Sequence, residues 1–296
     1  MSTRPETLDD MVGQDEVKTV IRTLVKSSII DNKPIPHIVW SGPSGTGKTT
    51  AAKATAQLRN VKLHNINASI ISDEKDLKIL IGEIKVNEIL FIDEIHALKK
   101  RVCEFLYSVM EDFEYQDKVH GKIKTIKLPQ FTILGATTDF GLLPEPLRMR
   151  FKFKAVFKEY TEEELIDIVH FICKNYGFKL SKNIASIIAK TCRNTPRIVV
   201  NRTEWIRSYM IANKIKSIKK EDVINVIKLQ GVDEHGLDTT DRQYLKILQE
   251  FSPISLTQIS SKMRISRETI QRDIEPHLIK LGLVFITSSG REINYG

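Results

Sequence analysis

The sequence predicts an α/β domain built on a parallel sheet, then a small all-helical domain, then three helices with a terminal hairpin. Two observations carry that reading. In the first half, short β-branched runs alternate with stretches of helical periodicity, the pattern of strands joined by crossover helices. From Thr161 the strand signal stops and helical patterns follow one another, until the turn-rich run "GVDEHGLD" (231–238) opens the last segment. A chain of 296 residues is too long for one ordinary core, so two or three domains are expected. We place them at 1–158, 159–231 and 232–296.

The strands of the first domain are "HIVWSG" (37–42), "VKLHNIN" (61–67), "EILFIDE" (88–94), "FTILGATT" (131–138) and "FKAVF" (153–157). Helices at 14–30, 47–58, 73–84 and 99–110 fit between most of them. The run "EYQDKVHGKIKTIK" (114–127) carries a Gly turn between two alternating stretches and reads as an inserted β-hairpin. Thr161, with Glu164 three residues later, is a capping box that starts the helical domain. Helices at 181–191, 195–213 and 219–229 continue it. The last segment has helical patterns at 238–250, 255–263 and 266–281 and an apolar strand pair around "LVFITSSGREI". Three helices and a hairpin outline a winged helix.

Composition narrows the function classes. A 41% hydrophobic, 28% charged chain describes a soluble globular protein, and the absence of an eighteen-residue apolar run argues against a membrane span. The start, "MSTRPETLDD", has no apolar core of a signal peptide. Cys103, Cys173 and Cys192 are scattered without paired spacing, which points to reduced core thiols in a cytosolic protein. The net charge of +8 is compatible with nucleic acid, but the basic excess is spread over the first two segments. Charge alone therefore does not single out a DNA-binding domain.

"GPSGTGKTT" (42–50) fits the phosphate-loop pattern and stands between a strand and a helix, as that motif requires. Gly42, Gly45 and Gly47 let backbone N–H groups wrap phosphates. Lys48 reaches the outer phosphates, and the Thr49 hydroxyl is a Mg²⁺ ligand. "ILFIDEIH" ends a buried strand at Asp93, placed to hold the Mg²⁺ shell, and Glu94, placed to polarise the attacking water.

Together "RPETLDDMVGQ", "GPSGTGKTT", "LFIDEIH", "MEDF", "GATT", "PLRMRF", "NTPRI", "GVDEHGLD" and "RETI…EP" resemble, in order and from Arg4 onward, the RuvB family of AAA+ ATPases. That family drives branch migration of Holliday junctions. The resemblance implies an AAA+ P-loop domain, a helical lid and a winged helix, with ATP and Mg²⁺ as cofactors. It puts Arg4 at the adenine side and Thr50 with the phosphate ligands, and makes Thr138 the first sensor and Arg197 the second. Tyr160 and Glu111, Asp112 and Phe113 of "MEDF" match nucleotide-neighbouring positions. Arg150 matches the arginine finger, a cation that enters the neighbouring protomer's site in a homo-hexameric ring.

Arg267 and Arg291 resemble the family's DNA-contacting arginines, and Arg264 and Arg272 cluster with Arg267 near the start of the third helix. Ile286 stands at a third such position, and "SSGR" replaces a more basic wing, which lowers the expected phosphate contacts. The hairpin is short and basic (Lys118, His120, Lys122, Lys124, Lys127), where the family's longer, apolar hairpin docks RuvA. A RuvA-like partner is therefore in question. These departures suggest a divergent member, in a prokaryotic or phage-infected cytoplasm. A clamp-loader-like or replication-remodelling ATPase remains the alternative. A purely regulatory DNA-binding protein would not need both Glu94 and an arginine finger.

Overall fold

The computed structural model describes residues 4–119 and 121–294. His120, counted above with the hairpin's basic residues, lies outside them. The first half begins with helix α1 (Asp15–Ile30), then β1 (Ile38–Ser41), α2 (Lys48–Arg59), β2 (Leu63–Asn67), α3 (Glu74–Gly82) and β3 (Ile89–Asp93). It continues with α4 (Lys100–Asp112), the hairpin β4 (Glu114–Val119) and β5 (Lys122–Lys127), β6 (Thr132–Thr137), α5 (Glu145–Arg150) and β7 (Phe153–Val156). Among the described residues, β2-β3-β6-β1-β7 lie side by side in that order, and every neighbouring pair is parallel. All these strands therefore present their C-terminal ends to one edge, the usual position of a ligand site in such sheets.

Strand alternation explains why helices cover both faces. In β3, Leu90 and Ile92 pack with Leu77 and Ile81 of α3 and Val102, Leu106 and Val109 of α4. Ile89 and Phe91 point the other way, to Ile21 and Val25 of α1 and Ala52 of α2. A strand apolar at every position must be covered on both sides. The hairpin stands outside this sheet. Its base is held by Tyr115, whose ring meets Phe105 edge-on at 5.1 Å, and by Lys78, which pairs with Asp117 at 3.2 Å.

The chain continues through α6 (Glu162–Asn175), α7 (Lys182–Lys190), α8 (Pro196–Ala212) and α9 (Lys220–Lys228). The capping box is present: Thr161 N–H donates to Glu164 Oε2 at 2.7 Å, and Glu164 N–H to Thr161 Oγ1 at 3.2 Å. The chain divides into two compact units, one running to Ile168 and including Thr195–Arg197, the other taking the remainder.

The last segment holds α10 (Thr239–Phe251), α11 (Leu256–Met263), α12 (Arg267–Thr269), α13 (Glu275–Lys280), β8 (Val284–Thr287) and β9 (Gly290–Ile293). Tyr244, Leu248, Ile259, Ile270, Leu278 and Val284 form its core. The expected helix over 266–281 is not regular. A widened turn over Ile270–Ile274 separates α12 from α13, directly before Pro276. Proline has no N–H to give the carbonyl four residues back, and the extra residue in the turn accommodates the shifted register. Residues Glu145–Arg150, with no helical expectation of their own, form α5. Its six residues are too few to show a period.

Candidate functional site

The phosphate loop joins β1 to α2 at the C-terminal edge of the sheet. Its glycines have a steric reason. Gly42 has φ 148°, and a Cβ there would lie 2.3 Å from the Phe157 carbonyl oxygen. Gly45 has φ 78°, and its Cβ would lie 2.8 Å from the Thr195 methyl and 3.3 Å from Arg197 Cβ. Gly47 has φ 101° and caps α2, whose first turn carries no acidic residue. The amide end of α2 is thus left positive and open, which suits an anion.

Lys48 is 6% exposed, and its Nζ donates to the carbonyls of Gly42 (2.7 Å) and Pro43 (2.9 Å). Burial pushes its pKa down, the carboxylates of Glu94 and Asp93 push it back up, and Arg197 adds to the lowering. Thr49 Oγ1 donates to Asp93 Oδ2 at 3.2 Å. Two hard oxygens that close together can meet at one small divalent cation, so their chemistry fits Mg²⁺. Glu94 has φ 52°, and its Oε2 accepts from Thr138 Oγ1 at 3.3 Å.

Arg4, Glu6, Thr49, Thr50, Lys53 and Gln57 are among the residues lining a cleft of about 280 Å³ beside α2, which places Arg4 next to the threonines expected to hold phosphate. The buried Tyr160 hydroxyl donates to the Thr46 carbonyl at 3.2 Å, and burial pushes its pKa up to about 12. Lys48, Thr49, Asp93, Glu94, Thr138, Tyr160 and Arg197 thus gather at one edge of the sheet.

Glu111, Asp112 and Phe113 do not join them. Phe113 packs against His37 (5.8 Å between rings) and Phe131 (5.9 Å), which precede β1 and β6. That is the N-terminal edge of the sheet, opposite the phosphate loop, so these residues do not neighbour their own chain's nucleotide site. Arg150 shares their location. Its Nε donates to the Tyr107 carbonyl at 3.1 Å, Nη1 to the Pro146 carbonyl at 2.9 Å and Nη2 to Glu111 Oε2 at 2.7 Å. Its guanidinium also stacks over the Tyr107 ring, 4.7 Å from the centroid. Nearby, Arg148 lies over Phe140 at 5.8 Å.

In the last segment, Arg264, Arg267 and Arg272 are exposed. Arg272 is paired with the adjacent Asp273 through two 2.9 Å contacts. Arg291, expected to contact DNA, turns inward instead. Its Nε donates to Glu275 Oε1 at 2.8 Å, and the same oxygen accepts from the Tyr244 hydroxyl at 2.9 Å. The Glu275 bond raises the arginine's pKa above its ordinary value. Glu275 is 2% exposed, so Arg291 is needed where it is, as the partner of a buried carboxylate.

Two side-chain contacts escaped sequence reading. His96 Nδ1 lies 2.8 Å from Thr137 Oγ1 and 3.4 Å from Glu94 Oε2. Its only sequence signal was its place two residues after Glu94. Arg193 bridges Asp238 (2.8 Å) and the buried Asp241, and nothing in the linear sequence pairs those positions.

Three family profiles match in succession. Residues 3–157 match the Holliday junction DNA helicase RuvB P-loop domain, 160–233 the RuvB AAA lid domain and 234–295 the RuvB C-terminal winged helix domain. Similar proteins include the Holliday junction branch migration complex subunit RuvB of Pseudothermotoga lettingae, 34% identical over 98% of this chain and 87% of that one. The same subunit from Orientia tsutsugamushi strain Ikeda is 35% identical over 98% of this chain and 91% of that one. Among solved structures, the Thermotoga maritima RuvB Holliday junction branch migration motor superposes with a TM-score of 0.87 at 30% identity, covering 99% of this chain and 96% of that one.

Proposed function

The chain belongs to the RuvB family, and from that membership we propose an ATP-driven motor that moves Holliday junctions along DNA in recombination and repair. The observation that carries this is the meeting of Lys48, Thr49, Asp93 and Glu94 at one edge of a parallel sheet, in a chain ending in a winged helix. We divide the work among residues 1–158 for hydrolysis, 159–231 as lid and 232–296 for DNA.

In this reading the glycine loop and the start of α2 wrap the phosphates of ATP, with Arg4 and Tyr160 beside the nucleotide. Lys48 leaves the Gly42 and Pro43 carbonyls for phosphate oxygens, a stronger, charge-assisted partner. Thr49 and Asp93 hold Mg²⁺, which when bound offsets phosphate charge. Glu94 accepts a proton from water as its oxygen attacks the γ-phosphorus, while Thr138 orients both and Arg197 reports the nucleotide to the lid. Arg150 lies at the sheet's opposite edge from its own phosphate loop, which favours action on a neighbour's ATP and hence a ring, a hexamer by family resemblance. Glu111 and Asp112 travel with it to that interface.

Arg264, Arg267 and Arg272 grip phosphates rather than bases, as a motor indifferent to sequence requires. The hairpin's lysines, Lys118, Lys122, Lys124 and Lys127, surround its exposed Ile123 with charge and make it a poor fit for the apolar groove of a RuvA of the usual kind. Among the described residues no helix is long and apolar enough to cross a membrane, and we place the protein in the cytoplasm.

The test is ATP hydrolysis with a four-way junction, with linear duplex of equal length, and with a sliding clamp. The junction should stimulate most. Stimulation by the clamp, with none by the junction, would favour the clamp-loader reading. Glu94→Gln should keep ATP binding and lose turnover, and near-normal turnover in that variant would overturn the general-base role.

A further inference from the structure

We propose that His96 is a positioning residue for Glu94 in ATP hydrolysis. The inference rests on the general-base reading of Glu94 given above.

The short turn that follows β3, Ile95–Ala97, is wedged against β6. Ile95 is fully buried, and a Cβ added at Gly135 would lie 2.9 Å from Ile95 Cδ1. A larger residue at Gly135 would have to displace the Ile95 side chain, so the turn that carries His96 packs closely on β6. Its ring then lies between the end of β6 and the base.

The hydrogen-bond partners settle the direction of each bond. The Thr137 hydroxyl has one proton, which it donates to the Asp139 carbonyl at 2.8 Å. The same oxygen accepts from Asp139 N–H at 3.0 Å. With its proton committed, Thr137 Oγ1 is an acceptor toward His96, so Nδ1 carries the hydrogen at 2.8 Å. The same nitrogen lies 3.4 Å from Glu94 Oε2, a long electrostatic contact secondary to its hydrogen bond with Thr137. Thr138 Oγ1 donates to the same Oε2 at 3.3 Å. The Thr138 hydroxyl, by a hydrogen bond, and the polar N–H edge of the His96 ring, by a longer electrostatic contact, thus approach one oxygen of the carboxylate from the β6 side. Oε1 then remains for the attacking water.

The two contacts are not equivalent once ATP is present. The Thr138 hydroxyl is the one assigned to the γ-phosphate, so it is drawn from Glu94 when the site fills. His96 is anchored instead to Thr137, whose own bonds run to the Asp139 backbone. It keeps Glu94 in place at the moment when Thr138 changes partner. Misplacing a catalytic group by about 1 Å costs up to about a hundredfold in rate, which is the scale of effect such an anchor controls.

Replacement by isosteres tests this, because the asparagine amide nitrogen stands where Nδ1 does and the glutamine amide nitrogen where Nε2 does. His96→Leu and His96→Gln should lower kcat by about 10- to 100-fold, with the Kd for a non-hydrolysable ATP analogue and the melting temperature unchanged. His96→Asn should restore most of kcat. Wild-type turnover in both His96→Leu and His96→Gln would overturn the proposal. So would equal losses in Asn, Gln and Leu, since the ring and not the Nδ1 donor would then matter. If Leu fails to fold, the Asn and Gln pair decides alone. Glu94→Gln run alongside separates the two claims: its near-normal turnover defeats the general-base reading, whereas its inactivity with active His96→Leu and His96→Gln defeats only this one.

Discussion

Arg150 and Arg291 each pair with a glutamate, and the two pairs differ in what surrounds them. The side chains of Arg150 and Glu111 are 27% and 61% exposed, while those of Arg291 and Glu275 are 14% and 3% exposed. An exposed ion pair contributes about 0–1 kcal/mol and is readily exchanged for another anion. A buried pair cannot lose one partner without stranding the other's charge. The first arrangement suits an arginine that must leave for a phosphate. The second suits an arginine that holds a domain together.

The largest effect should come from breaking the exchangeable pair on its cationic side. Arg150→Ala should lower turnover by about 10³-fold or more, as removal of an arginine finger does, with ATP binding retained. Steady-state hydrolysis alongside nucleotide binding checks this. A proportional loss of binding would place Arg150 among structural residues.

Breaking the buried pair should instead appear in stability. Arg291→Ala should destabilise the winged helix by about 3–5 kcal/mol, read by denaturant unfolding, while ATP hydrolysis without DNA is spared. Unchanged stability with weakened DNA binding would return Arg291 to the DNA surface. By contrast, Glu111→Gln should shift stability by no more than about 1 kcal/mol.

The ATPase unit carries its own buried titratable group. His37 accepts from Ile133 N–H at 2.9 Å through Nδ1 and faces the Met110 carbonyl at 3.1 Å through Nε2. Burial is the main cause that pushes its pKa down from 6.5 to about 4, with Lys152 adding to it and the Met110 bond opposing. An unfolded chain protonates His37 as pH falls through 6.5, and the folded chain only near 4. Its contribution is therefore fully present above pH 6.5 and is lost as pH falls toward 4, up to about 3 kcal/mol. Urea unfolding at pH 7.5 and pH 4.5 should show the loss, reduced in His37→Gln.

Among the exposed arginines the effects should be smallest. Arg264→Ala and Arg267→Ala should each weaken DNA binding equally for all sequences and reduce the salt slope by about one. A sequence-dependent loss would instead signal base reading.

The sheet and the phosphate loop were legible because each residue type there has one reason to be present. Glycines at positive φ, a lysine behind them and an apolar strand ending in Asp93 have few other uses. The direction of Arg291 was not legible. β9 has only four residues, and nothing local shows that Glu275, on another element, is buried and needs a cation. "MEDF" was only half legible for a related reason. Resemblance supplies proximity to a nucleotide but not whose nucleotide, and only the sheet's polarity puts Phe113 at the far edge. His96 was missed because a ring placed beside Glu94 by a bond to another strand leaves no spacing pattern.

The claim that Arg150 serves a neighbouring protomer is tested most directly by mixing subunits. Lys48→Ala and Arg150→Ala are each expected to be nearly inactive alone. In mixed rings, some interfaces join an intact phosphate loop to an intact Arg150, so ATP hydrolysis should partly return on equimolar mixing. If mixed rings form and no activity returns, Arg150 does not act across the interface.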